Sequence, residues 1–186
     1  FLFMTTWKRG RELLKARRDH DAMPLTAFAA SMAAAEVPAV PGTAVFLTPH
    51  PEQVPHALLH SLKHYKCLHD HVVILCVSFL DQPFVPMHRR VRVEPVGERF
   101  HRVQVEFGFM DRPDLTRTLH TCADRGLPCG MEDTTFFLGR ETLIPKKGSA
   151  LALWRQKLFI ALARNAGSPA AYFGLPPNRV VELGAQ

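Results

Sequence analysis

Three histidines, His56, His60 and His64, stand at i, i+4 and i+8 in H-A-L-L-H-S-L-K-H, so they share one side of any helix through that stretch. His50, His69 and His71 lie close by in sequence. Two histidines four apart on a helix can hold zinc, but a zinc site needs a third ligand and an open or fourth position. No H-E-x-x-H is present, and no cysteine or carboxylate stands at a helpful spacing. The three residues therefore read as a solvated or hydrogen-bonded histidine face, able to touch phosphate or a partner, and no metal is assigned to them. An ordinary imidazole pKa of about 6.5 would permit such a face to respond to pH.

Other chemistry is sparse. G-x-G-x-x-G, G-x-x-x-x-G-K-[ST] and G-x-S-x-G are all absent, and the glycine signals P-G-T at 41–43 and L-G-R-E-T at 138–142 are isolated. In the second, Arg140 and Glu141 point to opposite faces of a strand. Arg140 could hold an anion or pair with a carboxylate, and pairing is the favoured reading. Serine, histidine and aspartate occur without a spacing that defines a triad. Cys67, Cys76, Cys122 and Cys129 form no C-x-x-C pair, which points to reduced thiols, mostly buried, and away from a zinc or disulfide framework. Nothing here reads as an enzyme, and no cofactor is expected.

The formal charge of +6 invites polyanionic partners, but the charge is local. Lys8, Arg9, Arg11, Lys15, Arg17 and Arg18 face Glu12 alone up to Arg18, and the remainder is nearly balanced. Trp7 is the one aromatic beside the cluster, so a stacking platform for single strands is not built and no nucleic-acid partner is expected. The preceding F-L-F-M-T-T is far short of the roughly 20 apolar residues a membrane span needs. Apolar residues, then an interfacial tryptophan, then basic residues nonetheless match the cytoplasmic end of a membrane helix. An ordinary amphipathic helix with a solvated basic face is the alternative.

The elements that must position these groups follow from pattern. Pro38 and Pro41 force extended backbone ahead of a short strand, Thr43 to Leu47. Pro55 suits a helix start, with Val54, Leu58, Leu62 and Tyr65 as the apolar face, and Val72 to Val77 is a buried strand. Together they form a βαβ unit. Asp81 to Arg90 reads as an exposed loop. Val91–Pro95 and Phe100–Phe109 alternate as a hairpin toward a sheet edge. Asp111 is the expected N-cap of a helix carrying Leu115, Leu119 and Cys122, with Gly126 as its stop. Thr134 to Ile144 is a strand in which Gly139 suggests a bulge or bend. Ser149 caps a last helix with Leu151, Trp154, Leu158, Ala161 and Leu162 along one face, ended by Asn165-Ala-Gly-Ser-Pro. Arg179 to Leu183 is a final strand. The fold class is α/β: a single domain over 41–186, with a mixed sheet of about six strands flanked by three to four helices. It is preceded by a juxtamembrane helix over 1–20, and by an amphipathic helix with a linker over 21–40, for which Asp21 stands near the start. Thr43, Thr48, the histidines and Arg140 would then gather near strand ends, where such folds place ligands.

The runs P-G-T-A-V-F-L-T, V-P-H-A-L-L-H-S-L-K-H-Y-K-C-L-H-D-H-V-V, F-G-F-M-D-R-P-D, T-T-F-F-L-G-R-E-T-L-I-P, A-L-W-R-Q-K-L-F and F-G-L-P-P-N-R-V-V-E-L-G carry a likeness across essentially the whole chain, in one order. They resemble the C-terminal cytoplasmic region of the Kup (Kup/HAK/KT) potassium uptake permeases, and M-T-T-W-K-R-G-R looks like the exit of that family's last membrane helix. Ser61, Tyr65, Cys67, Phe107 and Phe136 depart from the family pattern, which bears on any ligand site near the histidine helix. The resemblance implies a multi-pass inner-membrane importer working by potassium–proton symport, with this domain on the cytoplasmic side. The expected partners are its own transmembrane domain, potassium and proton as transported ions, anionic lipid headgroups at Trp7 and the basic cluster, and a second copy in a homodimer. The domain's expected role is assembly, stability or regulation of transport. The alternative is a nucleotide-sensing module that gates the permease.

Overall fold

The computed structural model describes residues 1–20, 23–123, 127, 131–141, 143–145, 151–164 and 168–185, with the backbone alone at 15, 17–20, 121–123, 131, 141 and 185. Asp21, Gly126, Ser149 and the Asn165-Ala-Gly terminator fall outside the described residues, as does the side chain of Cys122. The elements in order are α1 (Leu2–His20), α2 (Leu25–Ala34), β1 (Ala39–Leu47), α3 (His56–Tyr65), β2 (Leu68–Leu80), α4 (Met87–Arg90) and β3 (Val91–Pro95). There follow β4 (Phe100–Gly108), α5 (Leu115–Ala123), β5 (Thr134–Glu141), α6 (Leu153–Arg164), α7 (Pro169–Tyr172) and β6 (Val180–Ala185). The chain divides into two compact units: Phe1–Ala22 with Glu141–Ser168 and Gln186, and Met23–Arg140 with Pro169–Ala185.

In the first unit α1 packs on α6. The Trp7 and Phe159 rings lie 5.4 Å apart, and an added Cβ on Gly10 would stand 2.5 Å from the Phe159 ring, so the absence of a side chain at Gly10 lets the helices meet. Arg155 donates to the buried hydroxyl of Thr6 at 3.1 Å and to Thr5 at 3.4 Å. The buried side of α6 is therefore the one bearing Phe159, and Trp154 is 56% exposed. Five positions on a helix subtend about 140°, so a face that buries Phe159 turns Trp154 outward.

The second unit is a six-stranded mixed sheet in the order β3-β4-β2-β1-β5-β6. Strands β4, β2, β1 and β5 run parallel, and β3 closes one edge as the antiparallel half of the expected hairpin. Val72, Val73, Ile74, Leu75 and Cys76 are all buried, as are Ala44, Val45 and Phe46, because both faces of the central strands are covered. On one face Leu25, Phe28 and Ala29 of α2 and Ala57 and Leu58 of α3 pack with Phe46, Ile74, Phe100 and Phe137. Residues 25–34, read from sequence as lying outside the domain, thus contribute to its core. On the other face Leu115 and Leu119 of α5 pack with Val45, Leu75, Phe107 and Phe136, joined by Leu175.

Strand β1 begins at Ala39, upstream of the expected Thr43, and carries a bulge: Val40 pairs with His69 but Thr43 with His71. Gly42 makes the bulge at φ 105°, with an added Cβ falling 2.7 Å from the Asp133 carbonyl oxygen. The register of β5 with β1 runs unbroken from Thr43↔Thr134 to Leu47↔Leu138 and stops just before Gly139, where a bulge or bend was expected, while the strand itself continues to Glu141. On α3 the buried stripe ends with Ser61, and Tyr65 is 60% exposed. The next residue, Lys66, turns into the left-handed region at φ 54° and leads the chain away into β2.

Asp111 is not an N-cap. Its carboxylate accepts the N–H groups of Gly108 at 2.8 Å and Val85 at 3.0 Å and pairs with Arg90 at 2.8 Å. The cap of α5 is Asp114, whose carboxylate accepts the Arg117 N–H at 2.9 Å. This network corrects two further readings. The stretch 81–90 is no simple exposed loop, since Val85 is buried and Arg90 lies over the Phe107 ring at 5.0 Å. Strand β4 ends at Gly108, leaving Phe109 exposed while its N–H donates to the Gln82 carbonyl. Asp111→Ala strands the half-buried Arg90 cation and two N–H groups, and is expected to lower unfolding free energy by about 3 kcal/mol. Urea titration of the chain checks this.

Candidate functional site

Strand β1 is flanked by β2 on one side and β5 on the other, so the direction in which the sheet grows reverses at β1. In open α/β sheets the crevice beyond the carboxyl ends of the strands at such a reversal is where ligands bind. Thr48 follows β1 there. Its N–H donates to the Leu75 carbonyl at 2.9 Å, and its hydroxyl accepts the His50 N–H at 3.2 Å. Arg140, near the end of β5, pairs with Glu182 on β6 at 3.3 Å, with 75% of its side chain exposed. The favoured carboxylate pairing of Arg140 is what the structure holds.

Thr43 lies elsewhere. It is buried five residues upstream, opposite Thr134 and His71, and at about 3.3 Å per residue it sits some 16 Å from Thr48. His56, His60 and His64 occupy the outer side of α3, away from the buried Ala57, Leu58 and Ser61. The His60 and His64 rings are 5.7 Å apart. Since α3 runs back from the carboxyl end of β1 toward the start of β2, only His56 begins near the carboxyl ends of the strands. The six residues therefore do not form one constellation. Among the described residues no three histidines, cysteines, aspartates or glutamates are grouped to hold a metal ion.

Sequence reasoning missed a second histidine pair. His71 on β2 and His101 on β4 lie 6.1 Å apart, and the Nδ1 atom of each is buried without a hydrogen-bond partner among the described residues. They are 30 positions apart in the chain, and only the parallel pairing of β2 with β4 brings them together. In the first unit Trp7 is half-buried on Phe159, with the Arg11 guanidinium 5.8 Å above its ring. Arg9 pairs with Glu12 at 3.3 Å, and Lys8 is exposed. The side chains of Lys15, Arg17 and Arg18 lie outside the described residues. No described helix is long and apolar enough to cross a membrane.

The second unit is a mixed α/β sheet covered by helices on both faces, a class of domain whose fold alone does not assign a function. The profile of the K+ potassium transporter C-terminal domain family matches residues 41–186. The whole chain is 54% identical to a probable potassium transport system protein Kup 3 of Dechloromonas aromatica, covering 30% of that protein. It is 55% identical to a probable Kup protein of Aromatoleum aromaticum, covering 29% of it, and 48% identical to one of Pseudomonas aeruginosa, again covering 29%. No solved structure matches. The chain belongs to the Kup family of potassium transporters as a C-terminal domain, and it spans about 30% of the length of the relatives it matches.

Two half-buried histidines, His69 and His101, are the groups through which acid would act on the fold. Burial pushes the His101 pKa below the ordinary 6.5, and the adjacent His71 adds to this against a backbone contact at Arg99. Burial also lowers the His69 pKa, against the opposing pull of Asp70. Below pH 6.5 the unfolded chain therefore binds more protons than the folded one. This stabilisation is complete above that pH and is lost as pH falls through the depressed folded values. Asp111 acts in a lower window. Burial would raise its carboxyl pKa, but the N–H groups of Val85 and Gly108 and the Arg90 guanidinium together hold it below 3.8. The urea midpoint is expected to fall between pH 7.5 and 5, and His101→Gln to reduce that fall. A midpoint that stays level over the range would contradict the assignment.

Proposed function

We propose that this chain is the cytosolic C-terminal domain of a potassium uptake transporter working by potassium–proton symport in the inner membrane. Its role is assembly, stability or regulation of transport, without catalysis of its own. The observation that carries the reading is the family match over 41–186, together with full-length coverage of the chain by potassium transport proteins. The ion path belongs to membrane helices outside this chain. The basic residues Lys8, Arg9, Arg11, Lys15, Arg17 and Arg18 after the apolar Phe1–Met4 support a cytoplasmic placement and contact with anionic headgroups. The segment boundaries shift at one point: 1–20 serve as the membrane exit and juxtamembrane stretch, while the cytosolic domain that includes 41–186 begins already with α2, whose Leu25, Phe28 and Ala29 belong to its core. Potassium uptake should be measured in cells lacking other importers, with the full-length transporter compared with a version ending after Arg18. The full-length protein is expected to restore uptake. The truncated one is expected to reach the membrane and transport at a changed rate, reduced if the domain assembles the transporter and raised if it restrains it. A full-length protein that moves no potassium would end this reading.

A second reading, nucleotide sensing, is favoured by the reversal of the sheet at β1, which leaves Thr48 and Arg140 at the carboxyl ends of the strands, where open α/β sheets hold ligands. Arg140 could exchange its exposed partner Glu182 for a phosphate. Isothermal titration with adenine nucleotides and cyclic dinucleotides is expected to give saturable heat that Arg140→Ala abolishes. Absence of heat from every one of them argues against it.

A further inference from the structure

Leu153 and Trp154, in the first turn of α6, are exposed, while Phe159 takes the contact with α1. The exposed residues of this helix are Leu153, Trp154, Lys157, Ala161 and Arg164. Steps of three and four from Trp154 onward put them on one side of the helix. That side is apolar at its start and basic further along. The contacts with α1 fix which end of that helix it meets. Arg155 reaches Thr5 and Thr6, and Phe159 meets Trp7 and Gly10, so the two helices advance in the same sense. At 1.5 Å per residue, Trp154 then lies about level with Met4. Leu2, Phe3 and Met4 are exposed as well, and the exposed Lys8, Arg9 and Arg11 follow them on α1. The helix pair thus has an apolar end followed by a basic collar.

Charge selects what covers this end. The first unit carries eleven lysines and arginines against four aspartates and glutamates, whereas the second carries twelve against thirteen. All of the net positive charge therefore belongs to the unit with the exposed apolar end. Part of it comes from 141–168, where Lys146, Lys147, Arg155, Lys157 and Arg164 stand against Glu141 alone. Apolar residues, then tryptophan, then lysine is the order of chemistry met on passing from acyl chains through headgroups to water. Lys157 lies about 4.5 Å beyond Trp154 along the helix axis. A tryptophan ring at headgroup level would leave that ammonium among the phosphates, its stem lying along the apolar surface. Membership of a potassium transporter family brings a bilayer within reach of the chain.

We propose that the exposed side of α6 is a membrane contact separate from the basic cluster of α1. Leu153 and Trp154 enter the headgroup layer of an anionic bilayer, and Lys157 binds its phosphates. Phe159, packed on Trp7 and Gly10, holds α6 at the height on α1 where this happens. The proposal deepens the juxtamembrane reading of α1 and rests on it only for the setting in the transporter.

Binding of the 186-residue chain to phosphatidylcholine vesicles, with and without phosphatidylglycerol, tests this through tryptophan emission. The chain has two tryptophans, so Trp7→Phe leaves Trp154 as the sole emitter. Its emission is expected to shift to the blue and resist acrylamide quenching on the phosphatidylglycerol vesicles, and to change little on phosphatidylcholine alone. The difference between the unaltered chain and Trp154→Phe gives the same readout without touching Trp7. Trp154 and Lys157 are exposed, so substituting either leaves the contact between α1 and α6 in place. Lys157→Gln is expected to weaken binding about fivefold, the effect of one basic residue near an anionic surface. Trp154→Ala is expected to weaken it about tenfold through the apolar area returned to water. Binding in which Trp154 keeps its water-exposed emission overturns the inference and leaves α1 as the anchor. Equal binding to both kinds of vesicle overturns it too. So does a chain that binds neither, which would give the exposed end to a protein partner. None of these results bears on potassium uptake, which decides the transport reading by itself.

Discussion

The covering of both faces of β1 and β2 is the constraint on which the rest of the second unit depends. A strand buried on both sides has no water for its peptide groups, so every N–H and C=O along it must find a partner in the sheet. That requirement places β4 beside β2 and β5 beside β1, and it makes Val72–Cys76 and Ala44–Phe46 uniformly apolar. It also demands two helical layers, α2 with α3 on one face and α5 with the Leu175 segment on the other. Gly42 serves the same constraint at the start of β1, where the chain must bulge close to the Asp133 carbonyl and a side chain would not fit.

Where β2 and β4 emerge from this covered core, the chain needs another means of order, and Asp111 supplies it. One carboxylate gathers Val85, Gly108 and Arg90, so the stretch after β2 and the end of β4 are tied at a single point. The Arg90 guanidinium lies over Phe107, which extends that polar network onto the apolar core. Strand β3 begins immediately after Arg90, so the position of the sheet edge depends on the same ion pair.

Much of this was legible in the residues. Proline and glycine punctuation with apolar runs marked β1, α3 and β2, and strict alternation marked the β3–β4 hairpin, because period-two and period-3.6 patterns are direct records of burial. The carboxylate pairing of Arg140 was also foreseeable, since an exposed strand arginine commonly meets a carboxylate on its neighbour. Less legible were choices between equivalent groups. Asp111 and Asp114 are both plausible caps by spacing, and only the proximity of Val85 and Arg90 recruits Asp111 to another task. Trp154 and Phe159 both suit a buried helix face, and the contact with Trp7 and Gly10 selects Phe159.

The sequence by itself determined the fold class, the parallel pairing at the centre, the histidine row on α3 and membership of a potassium transporter family. These follow from local pattern and from residue order along the chain, which sequence records directly. Tertiary structure alone decided that Thr43 and Thr48 lie at different depths of the sheet and that His71 meets His101. It also decided that β3 stands at an edge of the sheet. Those facts depend on strand order and ladder phase, which arise from contacts between segments tens of residues apart and leave no periodic trace within any one of them.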